Sequence, residues 1–192
     1  MRIAGSNDPW EPYTDKLDDR QTILPGDRSL TYGDLPYTDY YGNLYEHKVE
    51  EFFDTAGTQL TYPNYAKTIT GLKITNTYVP PKNGTVTGTK VWVNGSAPRP
   101  TVWFKLFRQV EGGSLVPVPE TEAPLKTLLD GTTSVTWTNL TETDLQGRPF
   151  NFTVREVNEA GQEVAPENYQ PSVSSDYRTI TNTYQIPSAD AI

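Results

Sequence analysis

Ile74-Thr-Asn-Thr-Tyr78 and Ile180-Thr-Asn-Thr-Tyr184 are one pentapeptide written twice in the same chain. Each copy closes a region rich in β-branched and aromatic residues, the composition of strands. In an extended strand alternate side chains share a face, so Ile180 and Asn182 point one way and Thr181 and Thr183 the other. The isoleucine marks the inward face, and the asparagine is thereby set in a core. An unpartnered buried amide costs roughly 1–3 kcal/mol, so each copy needs a partner for its carboxamide.

The repetition extends well beyond the pentapeptide. Residues 30–42 lie over residues 135–147 without a gap, at a constant offset of 105 (Tyr32 over Trp137, Gly42 over Gly147). The match continues with Tyr45 over Phe150, Val49 over Val154 and Glu51 over Glu156. Asn64-Tyr65 and Asn168-Tyr169 follow, then the two pentapeptides, with insertions of one or two residues between them. Repetition on this scale means two units of one fold within the 192 residues.

Composition fixes the class of that fold. The chain holds 16 Pro, 14 Gly and 12 Tyr with many Thr and Val, the profile of an all-β protein with frequent turns. A net charge of −8 excludes a surface that neutralises a row of phosphates, so no nucleic-acid partner is expected. Cysteine is absent, which leaves neither disulfides nor thiolate metal sites to brace the fold. No apolar run approaches the ~20 residues of a membrane span, and the N-terminus does not read as a signal peptide. Both ends read as cut from something longer.

The second unit resolves into strands at 86–93 and 101–110, flanking a loop with Asn94-Gly95 and Pro98-Arg99-Pro100, and further strands at 134–138, 150–157 and 178–184. Strands at this spacing, separated by turn residues, predict a β-sandwich. Val79-Pro80-Pro81-Lys82-Asn83-Gly84 reads as a short stiff linker. The expected organisation is an incomplete sandwich over 1–79, a complete one over 84–186, and the start of a further linker over 187–192. Position 1 maps near residue 106, so the first unit lacks counterparts of the strand at 86–93 and of most of 101–105.

Three residues of the second unit carry potential chemistry. Lys90 lies beside Val91 and Trp92, Glu156 follows Phe152 and Val154 in phase, and Asn182 sits in the last strand. If Phe152, Val154 and Glu156 share a face, a carboxylate enters the same interior as the asparagine. On spacing alone, an ordinary ion pair or a sheet edge also accounts for Lys90 and Glu156, and a turn cap for Asn182.

Thr89-Lys-Val-Trp92, Phe152-Thr-Val-Arg-Glu-Val157 and Thr179-Ile-Thr-Asn-Thr-Tyr184 resemble the three signature strands of the Cna protein B-type repeat, found in stalks of Gram-positive surface adhesins and pilins. Residues 86–92 and Trp137-Thr-Asn-Leu140 fit the same pattern. The resemblance implies tandem immunoglobulin-like sandwiches of the reverse kind and an isopeptide bond from Lys90 Nζ to Asn182 Cγ, with Glu156 as the catalytic acid. Desolvation favours a neutral amine and a protonated carboxyl, and folding replaces a diffusive encounter by proximity. Such a bond forms once per molecule, so no enzyme is implied, nor any cofactor or metal.

The first unit departs from that pattern. Glu51 and Asn76 match, but the position of the lysine precedes Met1, and Lys16 maps to the wrong segment. No bond within this unit is expected. An open sheet edge invites pairing with a strand of another molecule, and a lysine supplied that way would reach Asn76.

Weaker signals read as structural. His47 aligns with Phe152, a core or half-buried strand position. Asp8, Asp15 and Asp18-Asp19 read as a solvated acidic loop, without the regular oxygen ligands of a calcium site. Trp92, Trp103, Trp137 and Phe104 are expected to pack around Lys90 and Glu156. The resemblance makes the expected role a stalk region of a cell-wall-attached extracellular adhesin, with neighbouring repeats as partners and a host ligand bound by other domains. The alternative is a module that itself binds a host glycan or matrix protein. A hydrolytic enzyme has no nucleophile–histidine arrangement to rest on.

Overall fold

Every regular element among the residues that the computed structural model describes, 1–11, 21–24, 26–52 and 62–187, is a β-strand. Lys16, the acidic residues Asp15, Asp18 and Asp19, and residues 188–192 lie outside the described residues. The chain divides into two units, Met1–Thr77 and Tyr78–Ile192.

In the first unit β1 (Arg2–Ile3) pairs antiparallel with β2 (Tyr45–Glu46), and β3 (Tyr65–Thr70) is hydrogen-bonded to β4 (Lys73–Tyr78). Gly71 turns the chain between β3 and β4 at φ 58°, a conformation that glycine adopts without a Cβ penalty.

The second unit contains β5 (Gly84–Val93), β6 (Val102–Gln109), β7 (Val116–Pro117), β8 (Lys126–Leu128), β9 (Ser134–Leu140), β10 (Asn151–Val157), β11 (Tyr169–Val173) and β12 (Thr179–Tyr184). They form two sheets packed as a sandwich. One runs β11-β12-β5-β9, and the other sets β6 between β10 and the short strands β7 and β8. The loop rich in Gly and Pro after β5 therefore carries the chain from one sheet to the other instead of closing a hairpin. All pairings are antiparallel except β12 with β5, which run parallel with Ile180 beside Lys90 and Asn182 beside Trp92.

Alternation decides what faces inward. β6 buries Val102, Phe104 and Leu106, β10 buries Val154 and Glu156, and β12 buries Ile180 and Asn182. Trp137 fills the centre, its indole N–H donating to the Pro124 carbonyl at 2.8 Å. Burying one Leu or Phe side chain contributes roughly 1.5–3 kcal/mol, whereas a buried ion pair is close to neutral once desolvation is counted. The apolar residues thus hold the sandwich, and the polar residues within it call for another explanation.

The repeat is physical as well as textual. Isolated bridges join Thr38 to Leu44 and Thr143 to Pro149, at the same offset. In the first loop Asp39 accepts the Tyr41 and Asn43 amides at 2.8 Å, and in the second Asp144 accepts those of Gln146 and Arg148 at 2.9 Å. Asn64 and Asn168, one residue before β3 and β11, both adopt φ 62°.

Candidate functional site

Three strands converge on one buried carboxylate. β5 brings Lys90 and β12 brings Asn182 from one sheet, and β10 brings Glu156 from the facing sheet. Lys90 and Asn182 are 2% and 0% exposed and Glu156 9%. Parallel pairing with Ile180 opposite Lys90 makes Lys90 and Asn182 diagonal neighbours on the inner face.

Glu156 touches both of the others. Asn182 Nδ2 donates to Oε1 at 2.8 Å, and the Lys90 ammonium lies 2.8 Å from Oε2. Asn182 Oδ1, by contrast, is buried with no partner. Nζ otherwise reaches only toward the Ile180 carbonyl, at 3.5 Å. An unsatisfied amide oxygen in a dry interior costs about 1–3 kcal/mol. Burial pushes Lys90 below the ordinary lysine range, and the Glu156 carboxylate opposes that shift without cancelling it.

The surroundings refine the expectation for the aromatic residues. Trp92 places its ring 4.4 Å from Lys90 Nζ, and Phe104 is the cross-strand neighbour of Glu156. Trp137 belongs to the general core. Trp103 alternates with the buried Val102 and Phe104, so it lies on the outer face of β6 and does not line the site.

Sequence reasoning missed two supports. Tyr169 meets Trp92 edge-on at 4.9 Å, and Arg99 Nη1 donates to both the Asn94 carbonyl at 2.6 Å and the Tyr169 hydroxyl at 3.0 Å. This cluster fixes the ring against the lysine. Gly95 makes room for it, since a Cβ there would sit 2.6 Å from the Tyr169 hydroxyl.

The second support is Gly88, buried on β5 two residues before Lys90. A Cβ there would lie 2.9 Å from Phe104 and 3.0 Å from Val154. A glycine inside a strand pattern is the signal that marks such a close approach. Gly88→Ala is expected to force the sheets apart at the site and cost about 1–3 kcal/mol, read as a lowered denaturation midpoint. An unchanged midpoint would show that the facing side chains give way freely.

In the first unit Glu51 and Asn76 also meet. Asn76 Nδ2 donates to both Glu51 oxygens, at 3.1 and 3.0 Å, and both residues are half-buried. His47 is half-buried as expected, but it follows β2 and is not within a strand, and its buried Nε2 has no partner. Among the described residues no cluster of three or more His, Cys, Asp or Glu could hold a metal ion, and no helix is long and apolar enough to cross a membrane.

The family model falls within this second unit. The model of the Cna protein B-type domain matches residues 86–183. The collagen adhesin of Staphylococcus aureus is 38% identical over 102 residues, which are 53% of this chain and 8% of that protein. Among solved structures, a single B repeat unit of the collagen binding surface protein of Staphylococcus aureus aligns over 81% of this chain and 73% of its own, with 22% identity and a TM-score of 0.36. The pilus adhesin SpaC from Lactobacillus rhamnosus GG aligns over 60% of this chain and 14% of its own, with 21% identity and a TM-score of 0.31.

Proposed function

Because the chain belongs to the Cna protein B-type domain family, we propose that it is a stalk segment of a bacterial surface adhesin, its second unit braced by an isopeptide bond between Lys90 and Asn182 that Glu156 promotes. In this reading the domain is a structural repeat and not an enzyme. On the same reading the second repeat spans 84–186 and the first unit 1–79, with neighbouring repeats of the same polypeptide as the immediate partners. A host ligand and the cell-wall attachment belong to parts of the parent protein outside this chain.

The observation that carries the reading is the double contact of Glu156. Moving one proton from Nζ to Oε2 across the 2.8 Å contact leaves a neutral amine facing a carboxylic acid, and burial favours that uncharged pair. Rotating the Asn182 carboxamide about its last bond exchanges oxygen and nitrogen, and with the carboxyl turned so that its proton faces the amide, the acid donates to Oδ1 and polarises Cγ. Nζ attacks Cγ, the Cγ–Nδ2 bond breaks, and Glu156 passes the amine proton to the departing nitrogen, which leaves as ammonia. The fold supplies the alignment, and the reaction occurs once.

Intact mass tests this directly. Folded protein lighter than its formula by one ammonia is the expected result, and folded protein at full mass overturns the bond. A titration tests the environment of the amine. In Asn182→Ala, which keeps Lys90 free, the lysine pKa is lowered in the folded state and ordinary in the unfolded one, so between the two the unfolded chain holds the extra proton. Stability is therefore expected to rise with pH through that window and level off above the ordinary lysine value of 10.5. A denaturation midpoint that falls over the same range would contradict the shift.

A second reading, a module that binds a host glycan or matrix protein, is favoured by one observation. Tyr37, Tyr40 and Tyr41 in the first unit are 75%, 97% and 85% exposed, and large aromatic side chains left in water mark contact surfaces.

A further inference from the structure

The turns leading into the two pentapeptide strands share a backbone conformation. Gly71 stands three residues before Ile74, and Tyr177 three residues before Ile180. Both are left-handed, at φ 58° and 57°. A Cβ at Gly71 would meet nothing within 4 Å, so that glycine answers a need for conformation and not for space. The second unit keeps the conformation without the glycine. Asp34, Asn64, Asn94, Asn139 and Asn168, the other non-glycine residues at positive φ among those described, are of the types that tolerate it, whereas a bulky aromatic residue is disfavoured there.

A strained residue persists where its surroundings over-determine it, and the surroundings of Tyr177 are the reacting strands. Its own amide closes the turn, donating to the Ser174 carbonyl at 2.9 Å, while Ser174 Oγ accepts the Arg178 and Thr179 amides at 3.3 and 2.9 Å. From this turn two successive carbonyls reach out. That of Tyr177 accepts the Val154 amide of β10 at 3.0 Å, and that of Arg178 accepts the Thr89 amide of β5 at 2.8 Å. The first of these bonds crosses from one sheet to the other. Val154 precedes Glu156 by two residues on the same inward face, Thr89 adjoins Lys90, and Asn182 follows on β12 itself. One turn therefore sets the three strands that carry the amine, the acid and the carboxamide, and the left-handed φ aims the carbonyl that reaches the strand of the acid.

We propose that Tyr177 is a positioning residue for the cross-link: its left-handed backbone holds β10 through Val154 and so keeps Glu156 within reach of both Lys90 and Asn182. It acts through Glu156 and not on the reacting bond. A residue that prefers a negative φ turns the carbonyl away, β10 shifts, and the two 2.8 Å contacts of Glu156 lengthen. A misplacement of about 1 Å costs about a hundredfold in rate. The inference rests on the reading given for Lys90, Glu156 and Asn182.

The 192-residue chain, assembled from synthetic segments in denaturant, starts unfolded and at full mass, and dilution starts both folding and the reaction. Tryptophan fluorescence reports folding, intact mass the loss of ammonia, and hydrogen exchange the protection of the Val154 amide. Tyr177→Gly and Tyr177→Asn are expected to lose ammonia at the rate of the parent, Tyr177→Ala more slowly, and Tyr177→Val about a hundredfold more slowly, with protection of Val154 lost in the same order. A merely structural role would lower the denaturation midpoint and leave the rate of the folded chain unchanged. Folded Tyr177→Ala and Tyr177→Val that lose ammonia as fast as the parent overturn the proposal. So does Tyr177→Gly as slow as Tyr177→Val, which assigns the effect to the ring. If Tyr177→Val does not fold, the comparison of Tyr177→Ala with Tyr177→Gly decides. A parent chain that folds and stays at full mass removes the reading beneath the proposal, whereas a parent one ammonia light with no ranking among the variants removes the proposal alone.

Discussion

Glu156→Gln protein is expected to fold and to weigh what its formula gives, with Lys90 and Asn182 as separate side chains. The carboxamide keeps the size of the acid but cannot carry a proton from Nζ to the leaving nitrogen, so the reaction stops while the sandwich persists. Glu156→Ala is expected to show the same mass and a further loss of stability, because removing one member of a buried pair leaves the other uncompensated at about 3–5 kcal/mol. The missing bond accounts for a separate part. In the chain-entropy model a link closing a loop of about 100 residues stabilises by roughly 4–5 kcal/mol, and the segment from Lys90 to Asn182 is of that length. The ion pair alone is near neutral, so the proposed covalent link would be the larger contribution. Intact Glu156→Gln chain that is still one ammonia light would exclude the proposed role of the acid.

Pulled by its ends, the second unit is expected not to lengthen between Lys90 and Asn182. β5 and β12 are neighbours and run parallel, so tension applied at the start of β5 and the end of β12 shears one strand along the other, and the proposed bond lies within that loaded pair. In Lys90→Met, close in shape but lacking an amine, the same tension is expected to release about ninety residues. At 3.3–3.6 Å per residue that is an extension on the order of 300 Å, easily resolved in a single-molecule trace. The parent protein showing the same step would mean that load is not carried through a cross-link.

Much of this was legible from residues alone. The offset of 105 located two turns whose aspartates accept equivalent amides, because a turn is a local structure written in contiguous residues. Phase along one strand was equally readable, which is why Val154 and Glu156 were placed on one face. The short strands were not. β7 has two residues, and β11 contains Pro171, which reads as a breaker yet is tolerated because β11 is an edge. Trp103 was misplaced because aromatic character carries no phase, and only the burial of Val102 and Phe104 assigns its face. The neighbourhood of Lys90 and Asn182 depends on a parallel pairing between the first and last strands of the unit, which local sequence cannot specify.

That pairing also dictates when the molecule can close. The carboxamide resides on β12, the last strand of this unit in chain order, while the amine lies on β5, the first. The two groups therefore cannot meet until the last strand of the unit has docked beside the first. The proposed bond would thus be confined to units whose last strand has docked, and a prematurely ended chain would remain unlinked.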